Sequence, residues 1–427
     1  MNILWLKSDL LLPLDKGGRL RTWHLLRHLA QRHDITYLSF SELNQHRGAA
    51  VAGMRDVATR VVTVPRFDPA KRSLLFYMDA ARYLADPLPY AVAKYRSAAY
   101  KTQLQSLLRE QAFDLLVCDF LVPAVNLPKT LPCPAVLFTH NVEAEIWRRH
   151  AETKANVPAR WLYHLQHKRM LRFEADTLKR FDGILTVSEA DRDTFAELYP
   201  DVMSKPISVI RTGVDTSYFV PSDEATARLH LVFTGSMDWL PNEDAMMHFC
   251  HDIMPLIREQ EPHVHLSIVG RAPTRAVRAL ASPSIEVTGT VDDVRPYVKR
   301  AAVYIVPLRI GGGTRLKIFE AMSMGKAVVS TTVGAEGLPI VDGIHALIAD
   351  EPRAFADAVV SLLRDTRRRA ALARAARYLV VTHYDWSAVA GELDDALRIS
   401  AGQKTSAKQA RPPRTHSPSK ARGHASV

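Results

Sequence analysis

Ile310-Gly311-Gly312-Gly313-Thr314-Arg315-Leu316-Lys317-Ile318-Phe319-Glu320-Ala321-Met322 follows directly on the apolar run Val303–Pro307 and leads into a segment with helical spacing. Three consecutive glycines cost backbone entropy and pack nothing, so they mark a place where something must come close to the main chain. The helix they feed presents Arg315 and Lys317 in its first turn. Free amides, the helix dipole and two cations then share one small volume, which is the make-up of a diphosphate site. Glu320, in the second turn, is placed to accept hydrogen bonds from vicinal sugar hydroxyls. Strand, glycine turn and helix in that order make one βα unit, and ligands of such units sit beyond the carboxyl ends of the strands.

Outward from this unit the chain repeats it. Short β-branched runs near Leu229–Gly235, His263–Gly270, Ser284–Thr288, Val303–Val306, Ala327–Thr331 and Ala346–Ala349 alternate with helical patterns. An earlier series runs through Asn2–Lys7, Asp34–Phe40, Arg60–Val64, Asp114–Asp119, Ala135–Thr139 and Gly183–Val187, with a long helix from about Glu143 to Lys179. The pattern predicts an α/β fold of two doubly wound domains, at about residues 1–200 and 206–383. The linker is expected over Tyr199–Pro221, where Pro200, Pro206 and Pro221 enclose only a short apolar run. After Glu351 the pattern is purely helical and ends in Tyr384-Asp385-Trp386-Ser387 followed by an amphipathic helix to about Ile399.

With 427 residues, 24% charged and 47% hydrophobic, the chain has material for two or three domains, and disorder throughout is excluded. No apolar run approaches the roughly 18–20 residues that span a bilayer, and the opening Asn2-Ile3-Leu4-Trp5-Leu6 reads as a strand rather than a leader, so a cytoplasmic location is expected. Cys118, Cys133 and Cys250 are odd in number, far apart and set in apolar segments, which makes them core thiols rather than a disulfide or zinc framework. Residues 1–200 carry 28 Lys/Arg against 21 Asp/Glu, a balance of +7, while residues 201–400 carry 22 against 24, or −2. The tail 402–427 has six basic groups, no acid and almost no apolar content, and is expected to be disordered. A basic first half suits nucleic acid, anionic lipid or a phosphate-bearing small molecule equally.

Further candidates lie at other strand ends. Lys16-Gly17-Gly18-Arg19 joins the opening strand to a helix, where paired glycines expose amides to a phosphate. Phe138-Thr139-His140-Asn141-Val142-Glu143 ends a strand and starts the long helix. A histidine there is a catalyst or a cap, and Glu143 and Glu145 complement the helix dipole. In Phe233-Thr234-Gly235-Ser236-Met237-Asp238-Trp239-Leu240-Pro241-Asn242, Gly235 closes a strand, Ser236 and Asp238 can reach a ligand, and Asn242 can cap a helix over Glu243–Arg258. Gly270-Arg271 and Gly289-Thr290-Val291 offer backbone against a base, with Arg271 able to stack on it or pair with phosphate. Asp292-Asp293 reads as a helix cap before a metal pair.

Through Lys16-Gly17-Gly18, Thr139-His140, Leu185-Thr186-Val187-Ser188-Glu189, Val209-Ile210-Arg211-Thr212-Gly213-Val214-Asp215 and, above all, Gly311–Lys317 with Glu320-Ala321-Met322 and Gly325–Thr331, the chain resembles the family-4 type of retaining glycosyltransferases, in a glycine-rich variant. The resemblance covers most of residues 1–400. It implies the GT-B fold, two Rossmann-like domains facing across a cleft, with residues 384–400 crossing back onto the first. It implies a UDP- or GDP-type nucleotide sugar held mostly by the second domain: Glu320 on the ribose, Arg315 and Lys317 on the diphosphate, and Gly235, Ser236, Arg271, Val291, Gly312, Gly313 and Thr314 around it. Gly17 and Gly18 would close onto the phosphates, and His140 would lie near the transferred sugar. Transfer with retention to a glycan or lipid-linked acceptor is implied, with no cofactor and no metal ion, in the synthesis of a cell-surface polysaccharide or glycolipid. The +7 balance suits a lipid-diphosphate acceptor or an anionic membrane surface, and no specific nucleic acid is expected. Two departures stand out: Gly312 occupies the place of a second family glutamate eight residues before Glu320, and Ser236 and Pro241 stand where the family tends to have Arg and Lys. The phosphate charge is therefore expected to come from Arg315 and Lys317. A sugar-nucleotide 2-epimerase on the same fold and a non-catalytic nucleotide-sugar-binding protein are the alternatives.

Overall fold

The computed structural model describes residues 1–402 apart from 15–16, 43–46, 68–72, 74–77, 79–81, 84–85, 154–155, 203, 223–225 and 311–315. The expectations placed on Lys16, on Gly311, Gly312, Gly313, Thr314 and Arg315, and on the basic tail lie outside the described residues.

Two wholly parallel sheets carry the chain. The first contains β1 (Asn2–Leu6), β2 (Asp34–Glu42), β3 (Arg60–Arg66), β4 (Leu115–Asp119), β5 (Ala135–Phe138), β6 (Gly183–Thr186) and β7 (Ile207–Val209), in the order β3-β2-β1-β4-β5-β6-β7. The second contains β8 (Ala227–Thr234), β9 (His265–Val269), β10 (Ile285–Gly289), β11 (Ala301–Val306), β12 (Ala327–Ser330) and β13 (Leu347–Ile348), in the order β10-β9-β8-β11-β12-β13. The middle strands, such as Leu115–Asp119 and Ala301–Val306, are buried along their whole length because helices cover both faces, and they read accordingly as unbroken apolar runs. In each sheet the strand order reverses once, between β1 and β4 and between β8 and β11. Those two points open crevices at the carboxyl ends of the strands.

Three expectations are corrected. The linker Tyr199–Pro221 contains a strand: Ile207–Val209 adds to the first sheet beside β6, with Ile184 opposite Ile207. It is an edge strand only half buried, so its apolar signal is short. The single long helix is two, Glu143–Thr153 and Val157–Leu178. Asn156 caps the second by accepting from Ala159 N, and Pro158 occupies its first turn, where a missing N–H costs nothing. The helix expected over Glu243–Arg258 begins earlier, at Leu240. It runs to His248, then passes through a π-helical turn at Phe249–Ile253 into Met254–Gln260.

The helix Trp386–Ser400 packs back on the first domain against the helix Gly17–Leu29, as the resemblance implies. Val389, Leu393 and Leu397 enter one apolar core with Trp5, Leu25 and Leu29. At the crossing, Val214 N donates to Tyr384 O (2.7 Å), and the Trp386 indole stacks on His24 with centroids 5.1 Å apart. Asp394 fixes the far side of the helix through His33 Nε2 at 2.8 Å. Among the described residues no helix is long and apolar enough to cross a membrane.

Candidate active site

The crevice between β1 and β4 is lined by ionic groups at the ends of apolar strands. Lys7 follows β1 and Asp119 ends β4. Both are buried, and Lys7 Nζ lies 2.8 Å from Asp119 Oδ2. Trp5 Nε1 (3.0 Å) and the Thr22 hydroxyl (2.7 Å) also donate to Asp119 Oδ2. Burial opposes ionisation of Asp119, but Lys7 and His140 more than offset it, and the carboxyl sits well below the usual carboxylate range.

His140, one residue beyond Thr139 at the end of β5, is bound on both ring nitrogens. Nε2–H donates to Asp119 Oδ1 (2.8 Å) and Nδ1 accepts from Arg21 Nη1 (3.1 Å), because a guanidinium can only donate. This fixes one tautomer. Burial, with Arg21 and Lys7 adding to it against the pull of Asp119, drives the imidazole down to about 3, so it is neutral at physiological pH. Phe120, at φ 74°, stacks on His140 with centroids 3.9 Å apart. A Cβ on Gly18 would come within 3.0 Å of the Phe120 ring and 3.8 Å of His140 Nδ1, so the glycine is what lets the helix start close over that stack. Gly17 beside it faces open space. Arg21 also donates to Thr212 Oγ1 in the interdomain crossing, while its buried Nε has no partner. Lys7 pairs with Asp119, and Arg21 feels the carboxylates of both Asp119 and Asp191.

The crevice between β8 and β11 gathers the second-domain candidates. Gly235 and Gly270 end neighbouring strands so closely that a Cβ on Gly270 would lie 1.7 Å from Gly235 O. Lys317, in the first turn of the helix Leu316–Ser323, points at Gly235, where an added Cβ would stand 2.9 Å from Nζ. Its ammonium donates to Asn242 Oδ1 (2.9 Å) and lies 4.1 Å above the Phe233 ring. Asn242 is therefore no helix cap. It is buried, donates from Nδ2 to Ser236 O (2.9 Å) and steers Lys317, while Trp239 begins the helix. Arg271 Nε donates to Ser236 Oγ at 2.8 Å. Thus the loop after Gly235, which itself carries Ser236 and Pro241, receives cations from two other elements, Arg271 and Lys317. Glu320 lies in the same helix as Lys317. Burial lifts its carboxyl to about 7, against a downward pull from Lys317.

Other predicted positions stand apart from these groups. Asp238 is exposed, and Val291 packs on the second core. Asp293 is not the N-cap of the helix Arg295–Arg300, a place Val294 takes; it stands one residue earlier and accepts from Arg295 N (2.9 Å) and its guanidinium, and among the described residues no three His, Cys, Asp or Glu side chains gather as an ion would require. Glu145 is taken up by Arg148 and Arg149. Sequence reading missed Lys7, Arg21, Asp119 and Asn242. The signal for Lys7 and Asp119 was a charge directly closing an apolar strand.

Residues 16–218 match the family described as Glycosyltransferase Family 4, and residues 228–365 match Glycosyl transferases group 1. Two glycosyltransferase family models thus match successive parts of the chain, and its fold is that of the GT-B structures. HepE of Anabaena, solved with UDP, superposes with a TM-score of 0.65 at 14% identity over 93% of this chain and 100% of that chain. Sucrose-phosphate synthase of Thermosynechococcus elongatus gives 0.63 at 14%, over 93% and 99%. Among curated relatives, a Mycobacterium tuberculosis glycogen synthase is 25% identical over 64% of this chain and 65% of its own length. A phosphatidyl-myo-inositol mannosyltransferase of the same organism is 30% identical over 35% of this chain and 43% of its own.

Proposed function

We propose that this protein moves a sugar from a UDP- or GDP-type nucleotide sugar to a hydroxyl of a glycan or lipid-linked acceptor, with retention at the anomeric carbon, in cell-surface polysaccharide or glycolipid synthesis at the cytoplasmic face. The observation that carries this reading is the convergence of Lys317 and Arg271 on the Gly235–Ser236 turn, with Glu320 in the same helix as Lys317. In the reaction the bond from the anomeric carbon to the diphosphate oxygen breaks, a bond to the acceptor oxygen forms, and the acceptor proton leaves. Negative charge grows on the departing phosphates. The Gly235 turn, Lys317 and Arg271 meet it from the second domain. Loss of one well-aimed donor of this kind costs roughly 10²–10³ in turnover. Glu320 is the acceptor for the ribose hydroxyls. His140, held neutral with both nitrogens engaged, shapes the sugar pocket rather than exchanging the proton, which leaves the departing phosphate oxygen to receive it.

A panel of nucleotide sugars assayed for free nucleotide with glycan and lipid acceptors tests the reading, with Lys317→Ala expected to lose transfer. Conversion of a UDP-sugar with no acceptor present would point to the epimerase, and binding without turnover of any donor to a non-catalytic protein.

A further inference from the structure

The helices Glu143–Thr153 and Val157–Leu178 form an antiparallel hairpin. Glu174 accepts from Glu143 N and Ala144 N (both 3.1 Å) at its base, and Trp147 and His150 pack on Tyr163 further out. The first helix starts just past the carboxyl end of β5, the side where the sugar would be handled, and its 11 residues span roughly 16 Å to the tip. Along the second helix, Val157, Arg160, Trp161, His164, Lys168 and Arg172 are all exposed and fall on one stripe at three- and four-residue spacing. None is acidic. Val157 is 63% and Trp161 66% exposed at the tip, with the cations behind them.

We propose that this stripe docks the protein on an anionic lipid bilayer. Trp161 and Val157 would enter the headgroup boundary, where indole rings and aliphatic side chains are favoured, and Arg160, Lys168 and Arg172 would meet the lipid phosphates. A nucleic acid would reward the cations but offer Val157 nothing. The +7 balance of residues 1–200, against −2 for residues 201–400, gives the approach its direction.

The test is co-sedimentation of the full chain with vesicles of phosphatidylcholine alone and of phosphatidylcholine with phosphatidylglycerol. It reads lipid binding without turnover, so it stands or falls separately from transfer activity. The expected result is binding to the anionic vesicles alone. Val157→Ser with Trp161→Ala should weaken it at least tenfold, and Arg160→Gln with Lys168→Gln and Arg172→Gln about fivefold per charge removed. Both variants alter exposed side chains and retain the basic tail, so its charge is common to every arm, and circular dichroism checks their fold. Undiminished binding by the Val157/Trp161 variant would overturn the proposal. So would equal binding to neutral vesicles, or displacement by single-stranded DNA with no dependence on Trp161.

Discussion

Arg21 is a positioning residue: its guanidinium reaches His140 Nδ1, and with Asp119 on the other nitrogen it leaves the ring one tautomer. Nitrogen chemical shifts of His140 are expected to report Nε2–H throughout pH 5–8. Arg21→Met should remove that constraint, raise the pKa of the ring and lower turnover by about two orders of magnitude at most, with KM for the donor little changed. Asp119→Ala should be harsher on the fold, because it strands buried Lys7, and a loss of roughly 3–5 kcal/mol is expected in denaturant unfolding. Glu320 works in the opposite sense. Its folded pKa of about 7 lies above the ordinary 4.5, so the fold favours the protonated form, and stability falls as pH rises from 4.5 to 7. The shift corresponds to a few kcal/mol, on the order of 3, at pH 8. Glu320→Gln is therefore expected to raise the melting temperature at pH 8, with the gain shrinking towards pH 4.5, while weakening nucleotide binding. A variant no more stable at pH 8 than the parent would contradict the burial of that carboxyl.

At the scale of elements, the strand ends decide the site. Gly270→Ala would drive a Cβ into the Gly235 carbonyl, and separation of β8 from β9 at that edge should abolish nucleotide binding, checked by calorimetry beside a thermal melt. The alternation of apolar runs and helical patterns was enough to place both sheets, because buried parallel strands carry no polar interruption. What escaped were features set by contacts across the chain. β7 is three half-buried residues whose pairing depends on β6. Asn242 looks like a cap in sequence, and only the fold shows Lys317, 75 residues later, resting on its carbonyl. The break at Asn156-Val157-Pro158 was written in cap and proline, but the apolar spacing on either side concealed it. For the site, Lys317, Glu320, Gly235, Ser236 and Arg271 were legible as strand-end and helix-start residues. The buried set of Lys7, Arg21 and Asp119 was not, since nothing local says that three ionic side chains will meet.

For the whole molecule, two sheets of the same handed topology each place a crevice at their reversal of strand order, and the closing helix ties the second back to the first. Trp386 is the pin of that tie, buried beneath Gly213 and stacked on His24. Trp386→Ala should cost roughly 3–5 kcal/mol, seen as a lowered midpoint in denaturant. The most direct measurement of the central claim is isothermal calorimetry of UDP, GDP and ADP against the folded protein, against Lys317→Ala and against Glu320→Gln. Binding of at least one nucleotide by the parent, weakened tenfold or more in both variants, is the expected result. Folded parent protein with no affinity for any of the three, or variants that bind as the parent does, would contradict it.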